Sequence, residues 1–131
     1  MEADADRSGK GARVYDEQAV AARLAAELPH WTYEGGWIRR KYRTEGWKAT
    51  MLVVQTVGHL AEAAWHHPDL AVSYAFVIVK LCTHSAKGIT DKDFELAKKI
   101  EAVVQWQPGL EGGALEGTPR DDPRFRYIKY D

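Results

Sequence analysis

The chain has a single cysteine, Cys82, among its 131 residues. No internal disulfide can staple it, and one thiol fits a reducing compartment. It also has no apolar run near the ~18 residues that cross a bilayer. The first thirteen residues, MEADADRSGKGAR, carry no apolar core of the kind a secretory signal needs. A cytoplasmic location with no membrane partner is the expectation. Excess charge is missing as well. Eighteen basic residues face nineteen acidic ones, a formal net charge of −1, so no global field draws the chain to nucleic acid. Nucleotide loops are absent, with neither a Walker A pattern nor G-x-G-x-x-G. No G-x-S-x-G or other nucleophile setting is present either.

What remains is an ordinary globular composition, 45% hydrophobic and 28% charged, long enough for one domain with its own core. Residues 1–13 have almost no large apolar side chains and read as a mobile tail. A folded domain is expected over 14–106. After Trp106 the composition shifts to QPGLEGGALEGTPRDDPRFRYIKYD, a glycine- and proline-rich extension over 107–131. It is expected to pack through Phe125, Tyr127 and Ile128, on the domain or at a subunit contact.

Within the domain, residues 16–28 are rich in helix formers, with Val20, Leu24 and Leu28 four apart and Pro29 as the stop. Two strand-like runs, Trp31-Thr32-Tyr33 and Trp37 to Tyr42, flank Gly35-Gly36, which supplies the positive φ of a tight hairpin. A long helix is predicted from Trp47 to Trp65 on the stripe Trp47, Met51, Val54, Val57, Ala61 and Ala64. Gly58 inside it costs roughly 1 kcal/mol against Ala, which predicts close approach of a neighbouring element. Pro68 ends the helix. The next residues alternate, with Val77, Val79 and Leu81 on one face, and imply two antiparallel strands turning near Tyr74–Phe76. Thr90-Asp91-Lys92-Asp93 reads as a helix N-cap, and the helix continues through Phe94, Ala97, Ile100 and Val104. The order is α-β-β-α-β-β-α. The expected fold is therefore α+β, a four-stranded antiparallel sheet with three helices packed on one face.

The chemistry-bearing residues cluster where the long helix ends. His66 and His67 are adjacent, and His84 closes the second hairpin. Histidine titrates near neutral pH, so a convergent set suits general acid–base work. Pro68 pushes His67 toward extended backbone, so the two adjacent rings point differently. Glu62, four residues before His66, lies on the same helix face and is expected to orient His66. The structural alternatives are a histidine on the negative end of a helix dipole, a strand-end histidine bonded to a turn, and a surface i,i+4 pair. Asp93 reads equally as a helix cap or as a site residue. His59 and His30 read as exposed or loop residues. Adjacent histidines lack the i,i+4 spacing that puts two ligands on one helix face, and no cysteine cluster assists, so no metal site is assigned. Arg39, Arg40, Lys41 and Arg43 read as a solvated strand face rather than a nucleic-acid contact.

The spacing is Glu62, three residues, His66-His67-Pro68, five residues, Tyr74, nine residues, His84, eight residues, Asp93. This resembles the signature of the pterin-4a-carbinolamine dehydratases, over roughly residues 16–105. The resemblance implies dehydration of 4a-hydroxytetrahydropterin to quinonoid dihydropterin, with no cofactor and no metal. It implies His66, His84 and Glu62 as catalytic residues, and His67, Pro68 and Thr83 as substrate-binding ones. It also implies a pterin substrate and a homodimer or homotetramer. The family includes non-catalytic members that serve as coactivators or as a Rubisco assembly factor, so a protein-binding module is the alternative. Two features depart from the pattern. Trp65 stands where relatives more often carry a small or polar residue, and its bulk is expected to narrow the pocket; the extension after Trp106 is long.

Overall fold

The computed structural model describes residues 12–131; residues 1–11, most of the expected N-terminal tail, lie outside the described residues. Seven elements form the domain: α1 (Glu17–Glu27), β1 (Thr32–Glu34), β2 (Trp37–Arg43), α2 (Trp47–Ala64), β3 (Asp69–Ser73), β4 (Phe76–Leu81) and α3 (Asp91–Val104). The strands form one antiparallel sheet in the order β1-β2-β4-β3. The helices pack on one face of it, as the element order predicts.

Local chemistry accounts for most boundaries. Asp16 caps α1 by accepting from the Ala19 N–H at 2.8 Å. Glu34 pairs directly with Trp37, so Gly35 and Gly36, at φ of 61° and 88°, form a two-residue hairpin loop that a side chain would strain. Ser73 pairs with Phe76, which narrows the second turn to Tyr74-Ala75. Thr90 and Asp93 form a reciprocal capping box at the start of α3.

Strand alternation sends Ile38, Tyr42, Val77, Val79 and Leu81 into a core completed by Val20, Leu24, Val53, Val57, Phe94 and Ile100. The stripe of α2 is rotated from its expected phase. Its buried residues are Ala49, Thr50, Val53, Val57 and Ala61, while Trp47 and Ala64 face outward. Threonine was no part of the apolar stripe, yet Thr50 is fully buried because its hydroxyl donates to the Tyr74 carbonyl at 2.8 Å and meets Thr44 Oγ1 at 2.7 Å. Gly58 also departs from expectation. A Cβ there would meet nothing within 4 Å, so no neighbour makes the close approach.

The basic run on β2 is split by the sheet. Arg39, Lys41 and Arg43 lie on the face away from the helices, whereas Arg40 points to the helix side and is 4% exposed. Glu101 on α3 takes it bidentately, at 3.0 Å from Nε and 3.1 Å from Nη2, and Asp131 takes Nη1. The Tyr42 hydroxyl (2.7 Å) and the Trp31 indole N–H (3.0 Å) also donate to Glu101. An arginine desolvated to this degree is tolerated only when its donors are matched by carboxylates. Burial pushes the Glu101 carboxyl up; the bonds from Arg40 and Tyr42 outweigh it and hold the group below its ordinary range.

Asp131 reaches Arg40 because the end of the extension folds back onto the sheet. Glu45 N–H donates to the Tyr127 carbonyl at 2.8 Å, and Lys129 N–H to the Arg43 carbonyl at 2.9 Å. Ile128 is 9% exposed and belongs to the core, whereas Phe125 stays exposed.

Candidate active site

The exit of α2 sets the site. Trp65 adopts a left-handed conformation, φ 53° and ψ 46°. The Trp65 N–H closes on the Glu62 carbonyl at 3.2 Å, and the His66 N–H on the Ala61 carbonyl at 3.1 Å. This is the hydrogen-bond pattern of a Schellman ending. It reverses the chain within one residue, so His66 leaves the helix surface that Glu62 occupies.

His66 therefore meets a different carboxylate from the one expected. Its Nε2–H donates to Asp93 Oδ1 at 2.6 Å, with the His66 side chain 13% and the Asp93 side chain 0% exposed. The other oxygen, Oδ2, accepts from the Thr83 hydroxyl at 2.8 Å and the Thr90 N–H at 2.9 Å. Three donors converge on one buried carboxylate, which makes it an acceptor throughout and fixes the His66 tautomer with hydrogen on Nε2. Nδ1 is then the nitrogen His66 can offer to a ligand. Asp93 is both things the sequence allowed, a capping-box residue and a partner of the site.

Glu62 supports the other histidine. His67 Nε2–H donates to Glu62 Oε1 at 2.8 Å, and the pair is open to solvent at 51% and 68% exposure. The Trp65 indole stands edge-to-face on the His67 ring, 5.0 Å between centroids. Thr83, expected to touch substrate, is 3% exposed. Its hydroxyl is committed inward, to Asp93 Oδ2 at 2.8 Å and to Thr90 Oγ1 at 2.7 Å. Pro68 is half-buried, directly before β3.

His84 begins a short 3-10 turn, His84–Ala86, just past the end of β4. It is exposed, edge-to-face on Trp37 at 5.4 Å, with Nδ1 3.8 Å from the Cys82 sulfur. Asp69 pairs with Lys80, so two positions further out are His67 on one strand's approach and Cys82 on the other's continuation. His67, Cys82, His84 and Trp37 thus gather at one end of the sheet. Burial and the negative charges of Asp93 and Asp69 push the Cys82 thiol up, which disfavours a thiolate nucleophile at neutral pH. Tyr74, the aromatic of the spacing pattern, is absent from this end. It lies in the β3–β4 turn, about 20 Å of strand away from His84, with its hydroxyl against Gly46. His59 and His30 are exposed, as expected.

Among the described residues no three His, Cys, Asp or Glu side chains are grouped to hold a metal ion. His66 and His67 are instead each committed to a different carboxylate. Beside His66 a groove of about 740 Å³ opens between α2 and α3, floored by Leu60, Ala64, Leu96 and Val103. No helix among the described residues is long and apolar enough to cross a membrane.

A sheet covered on one face by helices, with a carboxylate-bonded imidazole and two exposed histidines at element ends, defines a small α+β protein. Residues 13–103 match the pterin 4 alpha carbinolamine dehydratase family, and the chain belongs to that family. Relatives bearing the family's name include a protein of Aquifex aeolicus, 44% identical over 93 residues that cover 71% of this chain and 93% of the relative. Another, from Sulfolobus acidocaldarius, is 38% identical over 88 residues, covering 67% of this chain and 96% of the relative. The fold is similar to the crystal structure of a transcriptional coactivator/pterin dehydratase from Brucella melitensis. The TM-score is 0.64 at 26% identity, covering 70% of this chain and 99% of that one.

Proposed function

We propose that the chain dehydrates a 4a-hydroxytetrahydropterin to the quinonoid dihydropterin and water by histidine acid–base catalysis. The observation that carries this reading is the His66–Asp93 pair, the carboxylate fully buried and the imidazole fixed in one tautomer at the rim of an open groove, with His67 next in the chain. In the reaction the C4a–oxygen bond breaks, the hydroxyl leaves as water with an added proton, and N5 gives up its proton as the C4a–N5 double bond forms. No electrons are exchanged with a third party.

One imidazole, protonated, donates to the departing hydroxyl, and a second takes the N5 proton; His66 and His84 are the pair assigned to these roles. His67, ordered by Glu62, contacts the pterin. General acid–base assistance of this kind is worth about 10²–10⁴-fold. Asp93 acts through His66 by holding its tautomer and ring plane, the service a buried aspartate gives a catalytic histidine elsewhere.

The test is stopped-flow ultraviolet detection of the decay of 4a-hydroxytetrahydrobiopterin with and without protein. The expected result is acceleration by the native chain and its loss in His66→Ala combined with His84→Ala, with the far-ultraviolet circular dichroism unchanged. Unchanged turnover in that double variant would sink the catalytic assignment.

One observation favours a second reading, a protein-binding module of the coactivator kind. The floor of the α2–α3 groove is apolar and Val103 in it is 40% exposed. Under that reading Val103→Asp abolishes partner capture, and the native chain leaves pterin decay at its spontaneous rate.

A further inference from the structure

Trp65 has two properties that folding alone does not call for. It is a large aromatic residue, 67% exposed, and it occupies a left-handed backbone conformation at φ 53°. Helices that end in this way usually place glycine there, because a Cβ crowds the neighbouring carbonyl. Its indole covers none of the core, so packing does not repay the strain. Backbone strain combined with an exposed apolar ring is found where a side chain is kept for a ligand.

The ring's position is equally specific. Trp65 precedes the histidine pair, stands edge-to-face on His67, and shares a groove wall with His66. An edge-to-face contact with one ring leaves the broad face of an indole open to another. The indole is exposed and lines the same groove as His66.

We infer that Trp65 is a substrate-contacting residue that stacks on the fused ring of the pterin and sets its plane against His67. This inference rests on the dehydratase reading. A stacking wall made in the ground state and the transition state alike lowers KM and leaves kcat in place. The structural alternative, a helix terminator only, predicts the same stability gain with glycine and no change in KM.

The experiment uses the full chain and 4a-hydroxytetrahydrobiopterin as substrate. Trp65→Gly is expected to raise KM by about 5- to 140-fold, the range of aromatic stacking on a heterocyclic base. kcat stays within about twofold. The same variant melts higher, by about 3–6 °C, because glycine relieves the left-handed strain. Trp65→Tyr restores KM to within a few-fold of native and Trp65→Leu does not, since leucine supplies bulk without a π-face. A native KM in an active Trp65→Gly protein overturns this inference alone. Equal rescue by leucine also overturns it, in favour of simple bulk. A native chain that leaves pterin decay unaccelerated overturns the dehydratase reading and this inference with it.

Discussion

His66 Nε2 and Asp93 Oδ1 are 2.6 Å apart although 27 residues separate them in the chain. The same aspartate closes the capping box of α3 and accepts from Thr83 at the end of β4. One carboxylate therefore ties together a helix exit, a helix start and a strand end. Any displacement of these three elements moves the imidazole.

Asp93→Asn tests this tie. Asparagine keeps the shape and the bond from the Thr90 N–H, and it loses the charge that three donors satisfy. The expected result is a fall in kcat/KM of about 10²- to 10⁴-fold, carried mainly by kcat, with a melting loss no larger than a lost cap of about 1 kcal/mol. A kcat within twofold of native would remove Asp93 from the mechanism and leave it a cap.

Glu62→Gln should be far milder. The Glu62–His67 pair is 68% and 51% exposed, and exposed pairs contribute about 0.2–1 kcal/mol. That corresponds to a KM change of less than about fivefold, with kcat preserved. Steady-state kinetics of the two carboxylate variants side by side gives their rank; Glu62→Gln as severe as Asp93→Asn would reverse it.

Acid should unfold the chain through its paired carboxylates. Burial pushes Glu101 up, and Arg40 and Tyr42 bring it net below its ordinary value. Asp131 shows the same balance through Arg40, and the bonds from Tyr15 and Arg23 lower Asp91. A depressed folded value means the native state binds fewer protons than the unfolded chain. Stability from these groups is complete above the unfolded carboxylate value near 4 and is lost as pH falls through the folded values. Urea titrations from pH 7 to pH 2.5 should show that acid limb. Glu101→Gln should flatten it, while at pH 7 it costs about 3 kcal/mol because Arg40 keeps only one of its carboxylates. An unaltered acid limb in this variant would exclude Glu101 as a source.

Removing residues 127–131 should weaken the fold more than the site. The deletion exposes the pocket of Ile128, worth about 1.5–3 kcal/mol, and takes Asp131 from Arg40. These contacts lie at the Arg43–Thr44 end of β2, which pairs toward Phe76 and Ala75, whereas Thr83 follows the far end of β4. The melting temperature should fall by about 10 °C or more, with kcat at 15 °C close to native. Differential scanning calorimetry and the stopped-flow assay read the two quantities separately; an unchanged melting temperature would make the extension a passive appendage.

The sequence by itself determined the order of elements, because each rests on contacts within a few residues. Gly35-Gly36 supplied a tight turn, Thr90 and Asp93 could cap only the helix that follows them, and Pro68 kept α2 from running past it. It also determined that His66, His67 and His84 lie at element ends. Tertiary structure decided which partner each one meets. The i,i+4 rule assigned Glu62 to His66, but that rule holds only while the chain stays helical, and Trp65 reverses it one residue too early. Glu62 passes to His67, and His66 turns to an aspartate whose local role was already accounted for by capping. The same limit hid Arg40. Strand alternation places it on the helix face, and only α3 and the returning extension reveal the Glu101 and Asp131 carboxylates that make its burial tolerable. Short-range rules fix backbone conformation; charge partners in a folded chain are chosen by what the packing brings within 3 Å.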